Sequence, residues 1–297
     1  MSKPTLKLQG SMTALVTPFR DGAVDYDALA KLIDYQLESG TQGLVPCGTT
    51  GESPTLSHEE HDKVIEFTIQ RAKGKAIIIA GTGSNSTTEA LRLTKHAKDA
   101  GADACLIVNP YYNKPTQQGM YEHVKALATA GLPIVLYNIP GRTGIELAAD
   151  TVVRMYNEID MVVAMKEATG NVNNASALAC ACGITILSGD DSMTLPICAV
   201  GGVGVISVVS NIVPKEVRKL TDLILAGDIK AARQQHLRLF PLFKGAFVET
   251  NPIPIKAALA MAGMMQDELR LPLTPLTAKL RAPLADLLKP FGLKLKA

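Results

Sequence analysis

Short apolar, β-branched runs recur along the chain at nearly regular intervals: SMTALVTPF from residue 11, GLVPCG from 43, AIIIAGTG from 76, ACLIVNP from 104, PIVLYNIP from 133, VVAMKEA from 162, TILSGD from 185 and VGVISVV from 203. Most are nearly continuous rather than alternating, the pattern of parallel strands buried on both faces. Between them lie amphipathic stretches, such as 25–39, 57–72 and 86–100, each opening on a helix-capping residue, Asp25, Ser57 and Ser86. Eight strand–helix units in the first 225 residues predict an α/β fold, a (β/α)8 TIM barrel, since a doubly wound open sheet rarely needs eight regular units. After residue 225 only helical stretches remain, roughly 227–248, 252–265 and 275–289, separated by the Pro-rich segments NPIPIK and LPLTPL. The expected organisation is a barrel over 1–225 that carries the active site and a small C-terminal helical appendage over 226–297.

In such barrels the chemistry gathers at the C-terminal ends of the strands, so the polar residues that close each apolar run are the ones to weigh. The sixth run, MVVAM, ends in Lys166, so a lysine terminates a buried strand instead of lying on a helix face. Such a lysine either snorkels to solvent or loses hydration. In the second case its pKa falls below the ordinary value of about 10.4, and the free amine suits imine formation with a carbonyl. The fifth run ends in Tyr137 and leads to Arg142. A phenol both gives and takes a proton, as imine formation requires, and a guanidinium fork matches a carboxylate. The alternatives are a tyrosine bonded to a neighbouring strand and an arginine paired on the surface. The second run ends in Gly48, Thr49, Thr50, Gly51, Glu52 and Ser53, a turn whose amides and hydroxyls suit a small carboxylate but which also reads as an ordinary strand-to-helix turn.

Composition narrows the partners. Thirty Lys plus Arg against 28 Asp plus Glu gives a net charge of +2, too balanced for nucleic acid or an anionic membrane surface. No apolar run approaches the roughly 20 residues of a bilayer span, and the opening MSKPTLKLQG lacks the apolar stretch of a secretory leader, so a cytoplasmic protein is expected. The five cysteines, Cys47, Cys105, Cys180, Cys182 and Cys198, follow no framework spacing and are expected to be reduced and mostly buried. GTGSNS at 81–86 lacks the third glycine of a dinucleotide fingerprint, no P-loop is present, and His58-Glu59-Glu60-His61 has Asp62 where H-E-x-x-H needs its second histidine. No metal or other cofactor is indicated. At the end of the seventh run Asp190 and Asp191 oppose a phosphoester, so the substrate is expected to be unphosphorylated.

Taken together, GTTGES at 48–53, NPYYNKP at 109–115, YNIPGRTG at 137–144, MKEATG at 165–170, SGDD at 188–191, GVISV at 204–208 and NPIPIK at 251–256 resemble the dihydrodipicolinate synthase family, over the chain from about residue 10 to its last helix. That family sits within a wider group of pyruvate-dependent class I aldolase-type barrels, and the arginine of the 137–144 motif resembles the synthases rather than N-acetylneuraminate lyase. The resemblance implies a lyase that condenses pyruvate with aspartate 4-semialdehyde through a lysine Schiff base, in lysine and diaminopimelate biosynthesis. By matching positions it implies that Lys166 forms the imine, that Thr49 and Tyr137 relay protons, and that Thr50 holds the pyruvate carboxylate. Arg142 would bind the carboxylate of the semialdehyde, with Gly189 and Ile206 as further substrate-binding positions. Tyr112 matches a tyrosine inserted into the active site of a neighbouring subunit, and a homotetramer built as a dimer of dimers is implied.

The resemblance also implies feedback inhibition by lysine at a separate site made of Ser53, His58, His61, Asn85, Glu89 and Tyr111. On chemistry alone, Glu89 suits an ammonium and Asn85 and Tyr111 a carboxylate, although without the resemblance the same residues read rather as solvated polar positions at helix starts. Pro54 stands where lysine-sensitive members often carry alanine, and Asn109 where threonine is frequent. Two competing readings are another pyruvate-dependent aldolase acting on a sugar-derived keto acid, against which Arg142 argues, and a non-catalytic keto-acid sensor. A sensor has no need of a desolvated amine.

Overall fold

The structure, a computed structural model, describes residues 3–296. Eight parallel strands close into a barrel: β1 (Gly10–Ala14), β2 (Gly43–Val45), β3 (Ile77–Gly81), β4 (Ala104–Val108), β5 (Ile134–Asn138), β6 (Val162–Glu167), β7 (Thr185–Ser188) and β8 (Gly204–Ser207). Closure is made by β1, which pairs with β8 through Met12 and Ile206 and with β2 through Met12 and Gly43. The first apolar run is longer than its strand, because the chain leaves the barrel after Ala14 and Phe19–Arg20 pairs antiparallel with Ala23–Val24 in a small hairpin beside it.

Helices follow the strands in the expected alternation: α1 (Tyr26–Glu38), α2 (His58–Ala72), α3 (Thr87–Ala100), α4 (Gln117–Ala128), α5 (Ala149–Glu158), α6 (Val172–Ala181), α7 (Thr194–Ala199) and α8 (Pro214–Leu225). The capping residues read from the pattern do the capping. The side chains of Asp25, Ser57 and Ser86 accept from the amides of Ala28, Glu60 and Glu89, and Glu60 returns a bond to the Ser57 amide. Beyond them lie α9 (Ile229–Gly245), α10 (Ile253–Met261) and α11 (Ala278–Leu288). These pack in one apolar cluster with Val16, Ala28 and Val205, so the C-terminal helices share a core with the side of the barrel where β1 meets β8.

The barrel has an inner and an outer apolar layer. Met12, Ile79, Leu106, Val135, Tyr137, Leu187 and Ile206 fill the inside, while Leu44, Ile78, Cys105, Ile107, Leu136 and Met165 pack outward against the helices. Side chains alternate between these layers along each strand, except in β6, where the consecutive residues Val163 and Ala164 both join the inner cluster. Here the pairing with β5 slips by one residue, from Ile134 opposite Val162 to Val135 opposite Ala164. The slip carries Lys166 to the position beside Tyr137 on one flank and Leu187 on the other, both inward-facing. Without it Lys166 would lie opposite Asn138.

Of the five cysteines, all free, Cys47 and Cys105 are buried, Cys182 and Cys198 are half-buried and Cys180 is exposed, so the expectation of mostly buried thiols holds for two. Among the described residues no helix is long and apolar enough to cross a membrane.

Candidate active site

Lys166 ends its strand at 6% exposure, and its amine lies 4.1 Å from the centroid of the Tyr137 ring. Burial pushes this amine down to about 7, an effect that the Asp191 carboxylate opposes and the Arg142 guanidinium reinforces. Near neutral pH a large fraction of Lys166 is therefore unprotonated, so the lysine that reads from sequence as either snorkelling or desolvated is the desolvated kind. Burial moves the Tyr137 phenol the other way, up to about 12, with Arg142 and a hydrogen bond to the Thr49 side chain restraining the rise. The phenol therefore stays protonated and able to donate.

Asp191 follows β7 and is itself buried. Its carboxylate accepts from Ser207 Oγ at 2.5 Å and from the amides of Val208 and Val209 at 2.9 and 3.1 Å, which holds it in place beside the barrel axis. Burial raises its pKa to about 6 against those bonds, which leaves it mostly ionised at neutral pH as the negative charge nearest in effect to Lys166. Gly189, on the same strand end, leaves room for the lysine stem: a Cβ there would stand 2.6 Å from Ala168 Cβ and 3.1 Å from Lys166 Cγ. Ile206 is fully buried in the inner layer on the neighbouring strand β8.

The turn after β2 closes on itself through the amides of Gly51 and Ser53 to the Gly48 carbonyl, at 3.1 and 3.3 Å, and of Glu52 to the Thr49 carbonyl at 3.1 Å. Thr50 is buried, and its hydroxyl accepts from Asn251 Nδ2 at 2.9 Å. Arg142 donates to the Asn251 carbonyl at 3.0 Å, so Asn251 ties the turn to the loop after β5. Its Oδ1 is buried with no partner, an acceptor available to an incoming donor. Asn251 carries no role in the sequence reading, and Asp191 enters it only as a charge that opposes a phosphoester. The strand-end rule that singles out Lys166 also finds Asp191, but not its effect on the Lys166 amine.

A cavity of about 350 Å³ opens above these groups. Thr49, Tyr137 and Arg142 stand on one part of its wall, Ser53, Pro54, His58, His61, Glu89 and Tyr111 on another; Lys166 and Thr50 are not on the wall. Five of the six residues of the expected effector site, all but Asn85, therefore share one cavity with Thr49, Tyr137 and Arg142. Within it His58 Nε2 and Glu89 Oε1 are 2.8 Å apart, Ser84 Oγ donates to the other Glu89 oxygen, and Asn85 Nδ2 donates to the Tyr111 carbonyl at 3.2 Å. His61 differs from His58 in being buried, with Nε2 2.9 Å from the Gly81 carbonyl, and desolvation lowers its pKa to about 4. It is a neutral ring fixed to the barrel rim. Tyr112 is not brought to the site within one chain: it is 89% exposed, on a left-handed backbone with φ 73°.

The family model for the dihydrodipicolinate synthetase family matches residues 7–290. The chain belongs to that family. It is 53% identical over 288 residues to the 4-hydroxy-tetrahydrodipicolinate synthase of Pelobacter propionicus, covering 96% of this chain and 99% of that protein. Among solved structures it is similar to the chloride-inhibited dihydrodipicolinate synthase of Acinetobacter baumannii complexed with pyruvate, with a TM-score of 0.94 at 47% identity over 97% of this chain and 100% of the other. It is also similar to DHDPS from Cyanidioschyzon merolae with lysine bound, with a TM-score of 0.93 at 40% identity over 96% of this chain and 98% of that one. Among the described residues no group of three or more His, Cys, Asp or Glu is arranged to hold a metal ion.

Proposed function

We propose that this chain condenses pyruvate with aspartate 4-semialdehyde to give 4-hydroxy-tetrahydrodipicolinate, with Lys166 as the imine-forming nucleophile. The observation that carries the reading is the buried Lys166 amine, which titrates near 7 against the protonated Tyr137 phenol, in a chain of this family. The neutral amine adds to the keto carbon of pyruvate, and the carbinolamine expels its hydroxyl as water once a proton reaches it. Tyr137, with Thr49 as its hydrogen-bond partner, is the group for that transfer. Loss of a methyl proton turns the imine into an enamine, whose carbon attacks the aldehyde of the second substrate. The amino group of that substrate then displaces Lys166 and closes the ring, which returns the enzyme unchanged.

Thr50 receives the pyruvate carboxylate at the turn after β2, with Gly189 and Ile206 as further substrate-binding positions. Arg142, at the cavity rim, receives the carboxylate of the semialdehyde and favours this substrate over a sugar-derived keto acid. Incubation with pyruvate and borohydride, followed by mass mapping, is expected to place a stable adduct on the peptide carrying Lys166, and a coupled assay to show turnover with the semialdehyde. An adduct on another lysine removes the assignment.

Lysine is the proposed effector. In this reading its ammonium meets Glu89 and its carboxylate the Asn85–Tyr111 pair, with Ser53, His58 and His61 lining the approach. The shared cavity wall supports a direct coupling, since Tyr111 and Tyr112 are neighbours in sequence. Initial rates are expected to fall as lysine is titrated to millimolar levels, and Glu89→Ala to abolish that response. Tyr112, exposed in one chain, is proposed to complete the site of a second copy in a dimer of dimers. Mixing Tyr112→Phe with Lys166→Ala subunits is then expected to restore activity that neither has alone.

A further inference from the structure

Glu52 and Lys256 take no part in the reaction proposed above, yet both side chains are fully buried and they form an ion pair across 204 residues of sequence. Glu52 closes the turn after β2. Its backbone is left-handed, with φ 51°, a conformation uncommon outside glycine that persists only when its surroundings over-determine it. Its amide donates to the Thr49 carbonyl at 3.1 Å. One carboxylate oxygen accepts from Lys256 Nζ and the other from the amide of Arg270 at 3.1 Å. Lys256 lies in α10 with its amine 4.3 Å from the centroid of the Phe19 ring, and the same C-terminal segment supplies Asn251 to Thr50.

We propose that the Glu52–Lys256 ion pair is a positioning device for the carboxylate-binding turn, by which the C-terminal helices hold Glu52 left-handed and set the Thr50 hydroxyl for the pyruvate carboxylate and the Thr49 hydroxyl for Tyr137. Lys256 is thus a positioning residue and not a catalytic one. A buried ion pair is a poor source of stability, because an apolar pair of similar volume is often as stable or more so. What the charges supply here is direction. Each carboxylate oxygen has one donor, which fixes the carboxylate plane and with it the backbone of a turn that touches substrate. The inference rests on the pyruvate reading above.

The test compares wild type, Glu52→Gln and the double variant Glu52→Gln/Lys256→Met, which leaves no unpaired buried charge. The melting temperature is measured, together with the pyruvate concentration that gives half-maximal borohydride-trapped adduct on Lys166. The double variant is expected to melt near wild type while its half-saturating pyruvate rises roughly tenfold or more, with the maximal adduct unchanged. Glu52→Gln, which keeps one acceptor oxygen, is expected to fall between, and it carries the test if the double variant does not fold. A folded variant that traps pyruvate at the wild-type concentration overturns the proposal and leaves the pair structural. Absence of any adduct in the wild type instead removes the functional reading, and this inference with it.

Discussion

Lys166 at the end of β6 and Lys256 in α10 are both buried, at 6% and 0% exposure, and both lie about 4 Å from an aromatic ring, Tyr137 and Phe19. Their counter-charges differ. Lys256 touches the Glu52 carboxylate directly, and that contact opposes the downward pull of burial on its pKa. Lys166 has Asp191, whose oxygens are already taken by Ser207, Val208 and Val209, so the opposing charge makes no direct contact; burial lowers both amines, and that of Lys166 to about 7. Desolvation alone does not make a nucleophile; the amine also has to be kept from a carboxylate that would bind its proton. The barrel mouth holds the carboxylate back with three donors, whereas the C-terminal segment lets it close.

The sharpest way to break this contrast is the same substitution at both positions. Lys166→Met is expected to lower turnover by roughly 10⁴-fold or more, the scale on which loss of a covalent nucleophile is felt. It is also expected to stabilise the fold near neutral pH. The unfolded chain binds a proton at this lysine up to about 10.5 and the folded chain only up to about 7. The wild type therefore gains stability from this group as pH rises between those values, and carries a cost of several kcal/mol below them, at about 1.4 kcal/mol per pKa unit. Melting curves of Lys166→Met and wild type should accordingly converge toward pH 10.5. Lys256→Met strands the buried Glu52 charge and is expected to cost about 3–5 kcal/mol instead. A Lys166→Met protein less stable than wild type at pH 7 would mean that the amine is not desolvated as described.

Tyr137→Phe sharpens the comparison by keeping the ring against Lys166 and removing only the hydroxyl. Turnover is expected to drop by roughly 10²- to 10⁴-fold with little change in melting temperature, since the ring supplies the packing and the hydroxyl the proton. Stopped-flow measurement of imine formation should show the loss in that step. The smallest effect is expected from Asp191→Asn. In the wild type the rate of adduct formation should climb as pH rises through about 7 and level off above it, as the amine loses its proton. Removing the charge that opposes the fall in pKa moves this limb to lower pH; a limb that stays in place or moves up would exclude Asp191 as the counter-charge.

The contrast between the lysines also marks how far the amino-acid sequence carries. Eight apolar runs and their capped helices are local signals, and the barrel follows from counting them. Lys166, Tyr137 and Thr49 were legible because each closes a strand run, a position with a chemical meaning in this fold. Asp191 stands in the same kind of place, but read alone it argues only against a phosphorylated ligand; its bonds to Ser207, Val208 and Val209 appear once β8 is beside it. Lys256 and Asn251 were out of reach because their partners Glu52 and Thr50 lie 204 and 201 residues away, and no period or spacing connects them. The exposure of Tyr112 is legible only as an oddity of the single chain.

The slipped pairing in β6 makes the reagent a matter of phase. A strand has two sides, and a one-residue change of register at Lys166 exchanges them. Were the same residues paired without the slip, the amine would turn toward the helices and Met165 toward the axis, while the hydrophobic character of the strand stayed much as it is. Such a chain would have every group named here and still be inert. The step between a scaffold and an enzyme is, at this strand, a single residue of frame, and a relative with the same motifs but a different β6 length would need to be judged by its register before its residues.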